Sequence, residues 1–335
     1  MNKWYNQKGN QNEVVISGGV RISRNLEEYP FPSKLDTQGK EKVNGIIKNI
    51  IFENDDNFIC FDMKDLTRAQ TISLAERYLI TPEFVSDNDG GSLIISSDES
   101  IGFMLCEEDH IRLQVMKSGL NLDEAYAQAD KWDSIIDEKV KYAFDDRIGY
   151  MTACPANLGT AMRAFVIIHL PALTASGQIS RLANTVSRLG LSITGAYGSR
   201  SQPSGDIYLI SNQITLGITE ATAISNLNSI ILQLVAQEKA AAASQIKEPE
   251  VEDEIYRALG ILQNARLLSG NEFMKLISKV RMGCASGILD YPMEKIDSLI
   301  VDMQPATIVA SNSDVSSVTQ REAIRAQAVR ETLKC

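Results

Sequence analysis

Histidine and cysteine are scarce here: 2 and 5 of 335 residues. The cysteines, Cys60, Cys106, Cys154, Cys284 and Cys335, are odd in number, scattered and never in a CxxC pair. That pattern argues against a disulfide framework and a structural zinc site. No apolar run approaches the roughly 20 residues of a membrane span, and Met1-Asn2-Lys3-Trp4-Tyr5-Asn6 lacks the apolar segment of a signal peptide. The expectation is a soluble cytoplasmic protein with no membrane partner. Lysine and arginine number 33 against 43 acids, a formal net charge of -10, which argues against a nucleic-acid partner. Also missing are the Walker loop GxxxxGK[ST], the HRD and DFG elements of protein kinases, HExxH, a Ser-His-Asp elbow and GxGxxG.

What the chain has is enough apolar content, 44%, for real cores, and a length beyond the usual single core, so a large domain plus a smaller one is expected. Residues 13–17 read as a short strand ending at Gly18-Gly19. Residues 40–52 carry Val43, Ile46, Ile47 and Ile50 at helical spacing, and 57–63 read as a strand. A helix over 67–80 is stopped by Thr81-Pro82. A long helix is expected from Asn121, its N-cap, to about Ala143. A strand over 162–170, a helix over 178–189, and strands at 191–193 and 206–210 around a polar loop, 195–205, follow. Residues 221–243 are again helical. The alanine tract at 240–244 and the acidic run at 248–254 mark a boundary, beyond which every apolar pattern is helical.

The chemistry concentrates in two stretches. Cys106-Glu107-Glu108-Asp109-His110-Ile111-Arg112 packs acids, imidazole and guanidinium between two strand patterns. An extended chain would put Cys106, Glu108, His110 and Arg112 on one side, with Glu107 and Asp109 on the other; the same run also reads as an acidic hairpin turn. The second stretch, 152–160, is a turn-rich loop delivering Cys154 ahead of Arg163, which heads an apolar strand and needs a carboxylate or phosphate partner. His169, on that strand, reads as structural. Arg21, Arg112 and Arg163 lie on or beside strands, and arginines converging on one sheet face suit a polyphosphate. A glutamate facing such a cradle could present a guanidinium for phosphorylation.

These motifs resemble those of the guanidino (phosphagen) kinase superfamily, and more closely its bacterial protein-arginine kinase branch. Residues 106–112 resemble the family's Asn-Glu-Glu-Asp-His-Ile-Arg. Residues 154–160, continuing into Arg163-Ala164 and His169-Leu170-Pro171, resemble Cys-Pro-Thr-Asn-x-Gly-Thr. Residues 210–217, 256–262 and 264–266 match as well, so the likeness covers nearly the whole chain. It implies an α+β fold: a large, mostly antiparallel sheet flanked by helices, of the glutamine-synthetase-like kind, over 1–245, and a small all-helical phosphoarginine-binding or dimerisation domain over 250–335. It implies ATP-dependent phosphorylation of arginine side chains in proteins, with ATP and Mg2+ as cofactors and the metal held through the nucleotide phosphates rather than by protein ligands.

Residue by residue, the resemblance gives Glu108 and Cys154 to the target guanidinium, with Gln202 where a second carboxylate is expected. The nucleotide falls to Ser17, Gly18, Gly19, Val20 and Arg21; to Tyr78 and Arg112; to Arg163, Ala164, Phe165, Val166 and Ile167; and to Thr194, Gly195, Ala196, Tyr197, Gly198 and Ser199. Arg321, Glu322, Arg325 and Ala326 resemble a phosphoarginine pocket, the two arginines four apart on a helix face. Implied partners are proteins with exposed arginines, a heat-shock repressor, a zinc-containing activator and a Clp-type unfoldase or protease, in a homodimeric stress-response kinase. Several positions depart from the pattern: Gly19 replaces a phosphate-binding arginine, Cys106 an asparagine and Tyr78 a histidine, while Thr194, Ser199 and Gln202 replace an arginine and two acids. The departures imply an alternative, a catalytically impaired paralogue that binds phosphoarginine or regulates an active kinase.

Overall fold

Val20 and Ile22 alternate with Arg21 and Ser23 in one ten-residue strand, β1 (Val15–Arg24), that runs straight through Gly18-Gly19 instead of ending there. The computed structural model describes residues 3–86, 89–198, 203–312 and 314–334. The elements after β1 are α1 (Thr37–Asn54), β2 (Phe58–Asp62), α2 (Arg68–Glu76), α3 (Pro82–Ser86), β3 (Ser92–Ser96), β4 (Ile101–Leu105), β5 (Ile111–Ser118) and α4 (Leu122–Asp137). The chain continues with β6 (Phe144–Asp145), β7 (Gly149–Tyr150), β8 (Met162–His169), α5 (Pro171–Ala175), α6 (Ile179–Arg188), β9 (Leu191–Gly195), β10 (Ile207–Asn212) and α7 (Glu220–Gln245). Five helices close it: α8 (Pro249–Asn264), α9 (Gly270–Ala285), α10 (Met293–Asp302), α11 (Pro305–Ser311) and α12 (Val318–Thr332).

Eight strands form a single antiparallel sheet in the order β2-β3-β4-β5-β1-β8-β10-β9. The two-residue side-chain period divides it. Val20, Ile22, Leu113, Val115, Ala164, Val166 and Ile210 face α1, α4 and α7 and form the main core. The opposite face is covered in pieces. Met104, Leu93 and Ile95 pack under α2 and α3, while Met116, Phe165, Ile167 and Ile207 pack against residues of the C-terminal helices such as Phe273, Ile277 and Ile300. Between these covers lies a polar strip in which Gln114 on β5, Arg21 on β1 and Arg163 on β8 stand directly across from one another.

The C-terminal helices are bolted to the sheet by polar contacts as well. Glu76 at the end of α2 accepts from the amides of Ala306 and Thr307 at 3.0 and 2.8 Å, capping α11. Fully buried Arg281 pairs with Asp297 at 2.7 Å and donates to the carbonyls of Asn12 and Glu13. His169 is indeed structural: it is buried and bonded to Ser278 at 2.9 Å, and burial holds its pKa well below the usual value.

Several sequence expectations change. α2 ends at Glu76, because the chain turns through Tyr78 at φ 61°; the turn begins before Thr81-Pro82 is reached. α4 ends at Asp137 rather than near Ala143, and the Asn121 side chain donates to Ser118 O instead of capping it. The acidic run at 248–254, read as part of a boundary, opens α8, whose first turn carries Glu250 and Glu252 where the helix dipole favours acids.

Candidate active site

Residues 106–110 form a turn between β4 and β5, closed by Cys106 N donating to His110 O at 3.0 Å. The expected alternation therefore fails. Cys106 has φ 54° and its thiol is buried in the main core, which pushes its pKa up to about 12. His110 is fully buried: its Nδ1 accepts from Leu26 N at 3.0 Å, so its Nε2 donates to Pro30 O. Burial lowers its pKa, and the ring is a neutral pin. Asp109 is equally buried; its Oδ1 accepts from Asn25 Nδ2 at 2.7 Å and from Ala153 N at 2.8 Å. That carboxylate ties the acidic turn to the loop carrying Cys154. Glu108, whose side chain is 41% exposed, is left as the solvent-facing acid of the turn.

Arg112 is gripped by both remaining acids, Glu107 at 2.5 Å and Glu108 at 2.7 Å. Glu107 is buried and also accepts from Thr81 Oγ1 at 2.8 Å, so it faces inward. Nε of Arg112 is buried and has no acceptor among the described residues. Arg21 reaches Gln114 Oε1 with Nε at 3.0 Å and Nη2 at 2.5 Å, and lies over the Phe165 ring at 5.6 Å. Burial, then the Arg112 and Arg163 cations, draw its pKa down to about 10. Arg163 takes an amide rather than a carboxylate: Nε and Nη2 both donate to Asn157 Oδ1 at 3.1 Å. Asn157 belongs to the short turn after Cys154, so the loop and the arginine are linked directly. Arg24 lies apart, paired with Asp133 at 2.7 Å and stacked on Tyr150.

The strand alternation divides the residues assigned to the nucleotide. Gly19, Arg21, Arg163, Phe165 and Thr194 share the sheet face that carries the polar strip, whereas Gly18, Val20, Ala164 and Val166 point into the core under α1, α4 and α7. Ser17 is buried and donates to Lys117 O, and Ile167 packs against the C-terminal helices. Thr194 and Gly195 lie in β9 rather than in a loop. Gly19 is required by its surroundings: a Cβ there would sit 2.6 Å from Phe165 Cζ and 2.7 Å from Val115 O. Phe165 thus fills the volume beside Gly19. Tyr78 spans the strip, its carbonyl accepting from Gln114 Nε2, its hydroxyl donating to Ala196 O and its ring edge-on to Tyr197 at 5.3 Å. Gly198 follows at φ 84°, while Ser199 and Gln202 lie outside the described residues.

In the C-terminal part, Arg321, Glu322, Arg325 and Ala326 lie on α12. Arg325 is buried, not solvated: Nε donates to Met303 O and Nη1 to Leu268 O, both at 2.8 Å. Arg321 and Glu322 stay half-buried, and Ala326 is buried in the helical core. Sequence reasoning did not single out Gln114, Asn157 or Asn25. Gln114 alternates in phase with Arg112, and that was the available signal.

Residues 40–241 match the sequence model described as the ATP:guanido phosphotransferase C-terminal catalytic domain, and residues 248–335 match that of the protein-arginine kinase McsB C-terminal domain. The protein-arginine kinase of Clostridium acetobutylicum is 40% identical over 340 residues, covering 100% of both chains. This chain belongs to the protein-arginine kinase family. Another member, from Caldanaerobacter subterraneus subsp. tengcongensis, is 40% identical over 88% of this chain and 90% of its own. Two solved structures share the fold. Lombricine kinase has a TM-score of 0.62 at 22% identity, covering 72% of this chain and 70% of that one. The duplicated taurocyamine kinase from Schistosoma mansoni has 0.61 at 23%, covering 69% and 34%. The α+β architecture with its large antiparallel sheet is the one expected of the family.

Proposed function

We propose that this protein transfers the terminal phosphoryl group of ATP to the guanidinium of arginine side chains in other proteins. One observation carries the reading beyond family membership: three arginines, Arg21, Arg112 and Arg163, converge on one sheet face beside the solvent-facing carboxylate of Glu108. The residues fit a polyphosphate. Arg112 keeps a buried N–H without an acceptor, and burial, then the neighbouring Arg112 and Arg163 cations, depress the pKa of Arg21; a bound polyanion would relieve the repulsion among the three.

Arg21, Arg112 and Arg163 hold the nucleotide phosphates, with Gly19, Phe165 and Thr194 lining the same face and Tyr78, Ala196 and Tyr197 along its border. Magnesium, held through the phosphates that these arginines bind, would supply further charge neutralisation. Glu108 and Cys154 orient the acceptor guanidinium. A guanidinium nitrogen forms the new bond to phosphorus as the bond to the ADP oxygen breaks, and the proton lost from nitrogen passes to Glu108. We place the catalytic domain at 1–245 and the helical domain at 250–335, with Arg321 and Glu322 as the accessible part of a phosphoarginine pocket. From the family likeness alone we add a stress-response role in the cytoplasm as a homodimer, with a heat-shock repressor, a zinc-containing activator and a Clp-type unfoldase or protease as partners.

The test is incubation with Mg-ATP and a panel of basic proteins, scored for acid-labile, base-stable label. No such label, while a control arginine kinase labels the same panel, excludes the activity. A second reading, a regulatory paralogue that binds phosphoarginine, is favoured by one feature: Phe165 fills the space beside Gly19, where a phosphate-binding cation is expected. Tight binding of phosphoarginine peptides without any transfer would support it.

A further inference from the structure

Exposed apolar side chains that phosphoryl transfer itself does not use lie on two segments bonded to the Cys154 loop. Phe144, Met151, Ile214 and Leu216 are 53, 38, 48 and 51% exposed. Single exposed apolar side chains are ordinary, but these four are connected through the loop. Thr215, between Ile214 and Leu216, accepts from Thr160 N at 3.0 Å and donates to Ala156 O at 3.1 Å. On the other side Tyr150 donates to Gly159 O at 2.9 Å, Met151 to Ala143 O at 2.9 Å, and the Phe144 ring meets Tyr150 at 5.2 Å. The Met151 segment is fixed to the acid. Asn25 Nδ2, which donates to Asp109, also donates to Met151 O at 3.0 Å, and Asp109 is the neighbour of Glu108.

We propose that these two segments dock the residues flanking the target arginine, so that the preferred acceptor is an arginine in an extended segment with aliphatic or aromatic neighbours. The inference rests on Glu108 and Cys154 forming the acceptor site. A segment of that kind matches both features of the surface, its cation meeting the exposed carboxylate and its apolar flanks meeting Phe144 and Met151 on one side and Ile214 and Leu216 on the other. Glycine- or serine-flanked arginine satisfies the first feature alone.

The experiment measures binding of dye-labelled peptides by fluorescence anisotropy, in the presence of magnesium and a non-hydrolysable ATP analogue. A central arginine is flanked by leucine and phenylalanine in one peptide and by glycine and serine in the other. The apolar peptide is expected to bind about tenfold tighter, the effect of burying roughly two apolar groups. A Phe144→Ser, Ile214→Ser, Leu216→Ser variant, all at exposed positions, brings the two peptides within about twofold of each other while leaving the glycine-flanked affinity unchanged. Equal affinities in the wild type, or a preference that survives in the variant, overturn the proposal. So does sedimentation in which the variant only converts a larger assembly to a smaller one, which would make the two segments a contact between copies. Anisotropy needs no phosphoryl transfer, so a protein that fails to label arginine but keeps the peptide preference would count against the kinase reading alone.

Discussion

Arg112 donates to Glu108 across 2.7 Å, so the acid assigned to the acceptor guanidinium already holds one belonging to the chain itself. The grip is asymmetric, since Glu107 is buried and fixed by Thr81 while Glu108 is 41% exposed. Phosphates that draw Arg112 toward the strip release Glu108. Nucleotide and acceptor should therefore bind cooperatively, and the coupling is reciprocal. A non-hydrolysable ATP analogue is expected to tighten binding of an arginine peptide by about fivefold or more, and Arg112→Ala should abolish that gain. Calorimetric titrations in either order check it; equal affinity with and without nucleotide contradicts it.

Gln114 positions Arg21 without needing to touch a nucleotide. Its oxygen takes both donors on one edge of the guanidinium, and its amide is anchored on Tyr78 O. Gln114→Ala should raise the KM for ATP about fivefold or more while kcat changes less. A purely structural role would lower the melting temperature with both constants intact.

Asp109 joins the Glu108 turn to the Cys154 loop through Ala153 N and Asn25. Asp109→Ala leaves those buried donors unpaired, a loss of about 2–4 kcal/mol. Acceptor-peptide affinity should fall more than ATP affinity, because Glu108 and Cys154, the two groups proposed to orient the acceptor, lose their shared anchor. Urea unfolding alongside the two titrations tests this.

Legibility in the sequence followed locality. Strand and helix positions were readable from period, and the two loops from residue type, because those signals lie within a few neighbours. That Arg21, Gln114 and Arg163 stand abreast was not readable, since it depends on the register of three strands far apart in sequence. Nor was the roles' division inside the acidic turn: one left-handed residue, Cys106, broke the alternation and sent His110 and Asp109 inward. Phe165 beside Gly19 belongs to the same class, two positions whose complementarity exists only across a strand pair. Arg325 looked like a free donor because helical spacing does not reveal the carbonyls of Met303 and Leu268 waiting beneath it.

Glu238 supplies a pH signature outside the site. It is buried, capping the amides of Ala172 and Leu173 at 2.8 and 3.0 Å, and burial raises its pKa from 4.5 to about 7. A raised carboxyl favours the folded state below pH 4.5, and that contribution is lost as pH rises toward 7. The stability of the wild type minus that of Glu238→Gln should therefore fall by about 2–3 kcal/mol from pH 5 to pH 8. Denaturant titrations at both pH values measure the difference, whatever the fixed effect of the amide.

The central claim is that Glu108 and the three arginines move a phosphoryl group from ATP to arginine. The direct measurement is mass spectrometry at neutral to mildly basic pH on a basic protein treated with Mg-ATP and either wild type or Glu108→Gln. Phosphate localised to arginine nitrogen with wild type, reduced on the order of a hundredfold or more by the substitution, is the predicted result. Phosphate found only on hydroxyl side chains, or arginine phosphate undiminished in Glu108→Gln, would contradict it.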